Sequence, residues 1–205
     1  MTYRTYSFID KINWQAVPEE KIHNFLWDSA AEYDVYFRMC FLKNKGIYLR
    51  MRCDETELRA VSKERDGRVW EDSCMEMFIC PLPGREEYVN FEINSDGVYL
   101  SQYGKVRENR VFIKELTSVE AQVSTEITSD GWSLELFVPC ELISEVYGEK
   151  FNADKCCIRG NFTKCGDLTK YPHYGSFTEL STLDLGFHNP NCFAVINIDE
   201  RYYNY

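Results

Sequence analysis

Residues 70–79 read Trp-Glu-Asp-Ser-Cys-Met-Glu-Met-Phe-Ile, and the period of two inside this run sets the fold class. Along a strand, alternate side chains leave on opposite faces. Across 73–81, Cys74, Glu76, Phe78 and Cys80 therefore share one face, and Met75, Met77 and Ile79 share the other. Both faces are mainly apolar, which predicts a strand covered on both sides. The carboxylate of Glu76 then sits in a half-buried setting and needs partners there. Outward from this strand the same period recurs. Strands are expected at 34–42 and 47–53, joined by Lys43-Asn44-Lys45-Gly46, and at 88–94 and 98–103. Segments 121–128 and 132–138 flank Asp130-Gly131, a hairpin signal because glycine tolerates the positive φ of a tight turn. Further strands fall at 156–163 and 192–198. One short helix fits 140–147, between Pro139 and Gly148. Residues 14–28 fit neither pattern.

Many short strands and one helix imply an all-β domain, a β-sandwich of jelly-roll or immunoglobulin-like antiparallel sheets. No Pro/Gly/Ser-rich linker, internal repeat or low-complexity segment divides the 205 residues, so residues 1–205 are expected to form a single domain. The longest expected loop, 164–191, carries Tyr171-Pro172-His173-Tyr174-Gly175-Ser176-Phe177 and Phe187-His188-Asn189-Pro190. Loops of that length in compact domains commonly bind or pack.

The net charge of −10 argues against nucleic acid and against an anionic membrane surface as partners, because both are held by Lys and Arg. A neutral ligand or a cation remains compatible with it. The start, Met-Thr-Tyr-Arg-Thr-Tyr-Ser-Phe-Ile-Asp-Lys, has no apolar stretch of signal-peptide type, and no apolar run is long enough to span a bilayer. A cytoplasmic location is the expectation. The nine cysteines are odd in number and none are spaced C-x-x-C. Most fall in apolar, strand-like runs, where a reduced thiol acts as a small hydrophobe. Cys156-Cys157 has no base adjacent in sequence, so it reads as a strand pair with one side chain per face.

Two more strands carry polar stripes. Asn90, Glu92 and Asn94 lie opposite Phe91 and Ile93; Arg159, Asn161 and Thr163 lie opposite Ile158, Gly160 and Phe162. If the three strands adjoin, Glu76, Glu92, Arg159 and Asn161 form one network. Its plain reading is a buried Arg–Glu pair that orders the sandwich. Its functional reading starts from Trp70 at the strand mouth. A flat ring covers the C–H face of a sugar, and a fixed carboxylate beside it accepts hydroxyl protons.

The series Trp70–Ile79, Tyr88-Val89-Asn90-Phe91-Glu92-Ile93-Asn94, Gly131-Trp132-Ser133-Leu134-Glu135-Leu136-Phe137-Val138-Pro139, Ile158-Arg159-Gly160-Asn161-Phe162, Tyr174-Gly175-Ser176-Phe177, Phe187-His188 and Cys192-Phe193 resembles the family 9 carbohydrate-binding module and its stand-alone relatives. The order and spacing fit over roughly residues 20–198, and the ordered series is much more specific than any one motif. The resemblance implies a non-catalytic sugar-binding sandwich, of a kind often appended to xylanases and related glycosidases and linked to carbohydrate catabolism. It implies an aromatic clamp with polar contacts to hydroxyls. Trp70 then matches the first clamp aromatic and Glu76 the acidic acceptor. Glu92, Arg159 and Asn161 supply further polar contacts, and Phe177 stands where a tryptophan is usual. The resemblance assigns no catalytic residue and no cofactor. It allows a structural calcium ion, although Asn94-Ser95-Asp96-Gly97 reads first as a turn.

Three other readings compete. Glu76 and Glu92 are candidates for the paired carboxylates of a glycoside hydrolase acting on O-glycosyl bonds. Met75, Met77, His173 and His188 carry atoms that ligate haem, whereas the plainer reading packs the methionines in the core and lets the histidines hold their loop. A third possibility is an interaction module that kept the sandwich and lost the sugar; Phe177 in place of tryptophan and the lack of an export signal at the start both lean that way.

Overall fold

The computed structural model describes residues 1–152, 157–181 and 186–201. Fourteen strands are present among them. The first half holds β1 (Thr2–Phe8), β2 (Glu20–Ile22), β3 (Asn24–Phe25), β4 (Val35–Leu42), β5 (Gly46–Cys53), β6 (Cys74–Cys80) and β7 (Tyr88–Asn94). The second holds β8 (Tyr99–Gly104), β9 (Val111–Phe112), β10 (Gln122–Thr128), β11 (Gly131–Pro139), β12 (Cys157–Gly166), β13 (His173–Ser176) and β14 (Ala194–Arg201). The α-helix, α1 (Cys140–Tyr147), begins after Pro139 and ends at Gly148, whose left-handed φ of 62° lets its N–H and that of Glu149 close on Glu145 and Ser144 carbonyls.

Hydrogen bonding runs without a break through β10-β11-β5-β4-β1-β14-β12-β6-β7-β8-β9. This differs from the expected pair of antiparallel sheets. The sheet is mixed, because β1 pairs parallel with both β14 and β4. It curls so that its two halves face each other across one core. Phe37 of β4 stacks on Phe162 of β12 at 3.9 Å between ring centroids. Met39, Leu49 and Leu134 from one half join Met75, Met77 and Phe91 from the other. The methionines thus fill the core and point away from His188, while His173 turns its Nε2 to Lys164 at 2.6 Å, which is the plainer reading of these residues.

The strand β1 was not expected from the sequence, because its inward positions include Thr5 and Ser7 as well as Tyr3, all fully buried. The hydroxyl of Thr5 donates to the Met39 carbonyl, which offsets its burial. Gly131 matters for a reason other than the one its dipeptide signals. The two-residue loop is Ser129-Asp130, and Gly131 already pairs with Thr128 as the first residue of β11. A Cβ at Gly131 would stand 2.0 Å from the Cys53 carbonyl oxygen of β5, so the third strand demands glycine there. Cys156 lies outside the described residues.

The strands β12, β6 and β7 lie side by side, and their side chains sort as the period predicts. Met75, Met77, Ile79, Phe91, Ile93 and Phe162 enter the main core. Cys74, Phe78, Cys80, Tyr88 and Cys165 face the other way, into a smaller cluster with Leu100, Phe187 and Phe193. The candidate site opens above this second cluster. Among the described residues, no helix is long and apolar enough to cross a membrane.

Candidate functional site

A cleft of about 560 Å³ opens on this second face, a volume typical of small-molecule sites. Its floor is laid by three strands in register. Glu76 of β6 stands opposite Glu92 of β7 on one side and Thr163 of β12 on the other. Cys165 stands opposite Cys74 one rung further along this face. The Thr163 hydroxyl donates to Glu76 Oε2, and the Cys165 thiol donates to Glu76 Oε1 at 3.0 Å. Glu92 Oε1 accepts from the Asn90 amide at 2.8 Å. Both carboxyls are buried, at 2% and 5% exposure. Burial pushes the acidity of Glu76 toward higher pH, only partly offset by the hydrogen bonds from Thr163 and Cys165. Burial, together with the charge of Glu76, pushes Glu92 well above the usual carboxylate range. Two carboxylates facing each other across neighbouring strands cannot both ionise cheaply.

Aromatic rings form the walls. Trp70 sits in a short 3-10 turn, Val69–Glu71, whose carbonyls accept the N–H groups of Asp167 and Leu168 at 3.1 and 3.0 Å. That stitching sets Trp70 beside Asp167, and both line the cleft. Asp72, just after the turn, accepts from the N–H groups of Val61 and Ser62 and from the amide of Asn94, which ties the turn to the end of β7. Tyr174 of β13 contributes a second ring to the cleft. It is met edge-on by Trp27 at 5.8 Å, and Trp27 leans on Phe187 at 5.2 Å. The loop bearing Trp27 is pinned to β13 by the Leu26 N–H on the Tyr174 carbonyl and the Tyr174 N–H on the Ser29 hydroxyl. Trp27 itself has a left-handed φ of 50°, uncommon for a bulky residue.

The rim is polar. Asp66, Gln102, Arg107, Asp167 and His188 all border the opening. Burial, then the charge of Glu71, raises the Asp167 acidity constant toward higher pH. Burial, then Arg110 and Arg107, lowers His188 to about 3, so its ring is neutral at physiological pH. Its Nδ1 lies 2.9 Å from the Tyr88 hydroxyl. With Tyr88 donating there, the ring proton sits on Nε2, which faces Glu92 Oε1 at 3.8 Å.

Of the residues singled out from sequence, Trp70, Glu76 and Glu92 line this one cleft. The other three lie elsewhere. Arg159 stands opposite Cys80, donates to the Pro190 carbonyl at 3.1 Å and approaches the Cys80 sulfur at 3.8 Å, so no buried Arg–Glu pair forms at this position. Asn161 is fully buried and spends its amide on the Ser176 hydroxyl and on the N–H groups of Phe162 and Thr178. Phe177 is 3% exposed in the main core, edge-on to Phe37 at 4.9 Å and to Phe162 at 6.3 Å. It presents no face to the cleft, and Tyr174, three residues earlier, does. Sequence reasoning also missed Trp27, Phe187, Gln102 and Asp167. The residues from the unassigned 14–28 stretch and from the long loop become neighbours only through the β3–β13 pairing.

Two chemical readings of the floor narrow at this point. Glu76 and Glu92 sit side by side and approach a bound molecule from the same side. A hydrolase places its two carboxyls on opposite sides of the scissile bond and pushes their acidities apart, whereas burial raises both here. As for calcium, Asn94 Oδ1 is occupied by the N–H groups of Asp96 and Val98, and Asp96 pairs with Lys63, which makes the 94–97 segment a closed turn. Among the described residues, one group of three His, Cys, Asp or Glu side chains converges closely enough to hold an ion: Cys74, Glu76 and Cys165. Its two sulfurs do not suit calcium, which takes oxygen ligands.

The family model described as carbohydrate-binding family 9 matches residues 7–198. Among solved structures, a candidate carbohydrate-binding protein from Bacteroides uniformis ATCC 8492 is similar over 96% of this chain and 98% of its own, with a TM-score of 0.80 and 24% identity. A family 9 module from Caldicellulosiruptor kristjanssonii in complex with glucose covers 100% and 99%, with a TM-score of 0.72 and 11% identity. One in complex with cellotriose, from the same organism, covers 97% and 95%, with a TM-score of 0.69 and 10% identity. No curated protein matches the sequence.

Proposed function

We propose that this chain, which belongs to carbohydrate-binding family 9, holds a neutral saccharide in the cleft between Trp70 and Tyr174. Modules of this family are non-catalytic carbohydrate-binding domains. The observation that carries the reading is the meeting of half-buried rings with a floor of carboxyl groups fixed by other side chains. A pyranose offers an apolar C–H face to Trp70 and a rim of hydroxyls to everything else. Asp167 and Glu76 accept hydroxyl protons, and Glu92, which holds its own proton, exchanges hydrogen bonds with hydroxyls as donor or acceptor; Gln102 and Arg107 donate to hydroxyl or ring oxygens. A hydrogen bond to a charged group contributes about 1.5–3 kcal/mol when desolvated. The acids that border the cleft disfavour an anionic sugar. The related modules held in complex with glucose and with cellotriose support a glucose-containing ligand, and on that reading we place the chain in carbohydrate breakdown.

The lost-binding reading drew on Phe177 standing where a clamp tryptophan was expected. With Phe177 in the core, its identity has no bearing on the clamp. A glycan array followed by calorimetry tests the proposal on the whole chain. In Trp70→Ala, the roughly 100 Å² of apolar contact given by one indole face is lost. At about 25 cal/mol per Å² this forfeits about 2.5 kcal/mol, or about 70-fold in affinity. A folded protein that binds no glycan, or a Trp70→Ala variant with an unchanged dissociation constant, overturns the assignment.

A further inference from the structure

The floor of the cleft carries two thiols that hydroxyl recognition does not use, beside the Glu76 carboxyl that it does. We infer that Cys74 Sγ, Cys165 Sγ and Glu76 Oε1 form a binding site for one thiophilic divalent cation, zinc being the best fit. The three donor atoms lie within 4.8 Å of one another. The Glu76 oxygen is 3.0 Å from one sulfur and 3.9 Å from the other. Tetrahedral zinc, with bonds of about 2.3 Å to sulfur and about 2.0 Å to oxygen, spaces a sulfur and an oxygen about 3.5 Å apart. The observed pair of distances brackets that value, so the ion enters by small side-chain rotations with no strand movement. Register explains the convergence: Cys74 and Cys165 are direct cross-strand partners, and Glu76 shares their face one position along.

The site is built for access. Glu76 and Cys165 line the cleft, and Cys74 lies beneath them. Because two of the three donors line the cleft, water or a ligand hydroxyl there completes the tetrahedron. Glu76 keeps its other oxygen on the Thr163 hydroxyl, which fixes the carboxylate as an outer partner does in built metal sites. Two sulfurs and one carboxylate select zinc, or cobalt as its probe, over magnesium and calcium. A thiol in its ordinary range keeps its proton at neutral pH, so both sulfurs are protonated before the ion arrives. Binding therefore breaks two S–H bonds, forms two metal–sulfur bonds and sends both protons to solvent, together with the Glu76 proton where it is held.

The test uses the full chain with a phosphine reductant and no added sugar. Titration with Co²⁺ should produce a thiolate-to-cobalt charge-transfer band and tetrahedral visible bands, saturating at one ion per chain. Zn²⁺ should bleach them, and Ca²⁺ in excess should not. Calorimetry in buffers of different ionisation enthalpy should show about two protons released per ion, and Zn²⁺ should raise the melting temperature. Cys165→Ser should weaken the ion by more than the roughly 10–100-fold that losing an outer-shell partner costs. Cys192→Ser should leave it unchanged. No charge-transfer band in the native protein, or a band that persists in the folded Cys74→Ser/Cys165→Ser variant, overturns the site. Coupling to sugar rests on the proposed saccharide cleft, and glycan calorimetry with and without Zn²⁺ reads it separately. Failure of sugar binding alone leaves the cobalt result standing.

Discussion

Tyr174 lies in β13 and Phe177 directly follows the strand, three residues on, and the structure gives them opposite jobs. Phe177→Ala removes a ring that is 3% exposed and edge-on to both Phe37 and Phe162. Truncating a buried phenylalanine costs about 3–5 kcal/mol in lost transfer energy and residual cavity. At about 2–4 °C per kcal/mol for a chain of this size, the melting temperature should fall by about 6–20 °C. The Phe177 N–H on the Phe162 carbonyl, at 2.9 Å, survives the change, so the β13 end keeps its place. Below the transition, affinity for the sugar should stay within about twofold, since Phe177 lines no part of the cleft. Tyr174→Ala should do the reverse. Its ring is half-buried, and its backbone keeps both bonds to the 26–29 loop, so stability should change by about 1 kcal/mol or less, as for a partly exposed site. Affinity should fall about tenfold or more with the loss of one stacking wall. Urea unfolding and calorimetry on the two variants separate the outcomes. If Phe177→Ala loses affinity with its stability intact, the placement of the clamp is wrong.

Two further changes probe the buried charges. Glu92→Gln keeps the Asn90 hydrogen bond through its amide oxygen and removes the confrontation with Glu76. At a cross-strand spacing of about 5 Å and an effective dielectric near 20, two full charges there repel by about 3 kcal/mol. Glu92 holds its proton more tightly folded than unfolded, so its share of stability is complete below the unfolded carboxyl range and is lost as pH rises toward its folded range. Variant and native protein should therefore unfold alike near pH 4, with the variant about 1–3 kcal/mol more stable at pH 7–8; a gap that does not widen with pH denies the acid pair. On the other face of β12, Lys164 is fully buried, 2.8 Å from Glu55 Oε2 and 2.6 Å from His173 Nε2. Lys164→Met should cost about 3–5 kcal/mol by stranding the Glu55 charge, and adding Glu55→Gln should recover part of it. Equal stability of the single variant and the native chain, measured by urea unfolding, counts against a buried ion pair.

The strands that build the floor were legible because their apolar period is unbroken on the core side. From Met75, Met77 and Ile79 the opposite face of β6 follows directly, and the same holds for β7 and β12. What a period of two cannot give is distance along the strand. Arg159 shares a face with Thr163, yet four residues at about 3.3 Å each separate them by about 13 Å. That step puts Arg159 beside Cys80 and leaves Glu76 to Thr163. The strand β1 stayed hidden because Thr5 and Ser7 face inward, and β12 runs past its expected end because Lys164 reads as a surface residue until Glu55 is seen against it. Trp27 was illegible for another reason. Its place depends on a loop held to β13 by one backbone bond and by the Ser29 hydroxyl, and no local pattern encodes that contact.

The acid pair also explains why this floor is costly to keep. Nothing in the fold requires Glu76 and Glu92: the main core lies on the opposite face, and apolar residues at both positions would extend the smaller cluster around Phe78 and Leu100. Two buried carboxyls in register lower stability at neutral pH, and the surrounding side chains only partly offset this. Thr163, Cys165 and Asn90 all aim donors at the pair, which orients the acceptors before any ligand arrives. A sugar that displaces water from such a floor meets carboxyl groups already in place for its hydroxyls. The same preorganisation makes the stabilised Glu92→Gln variant the weaker binder. Stability and affinity should move in opposite directions at this one position, and a variant that gains both contradicts a floor shaped for hydroxyls.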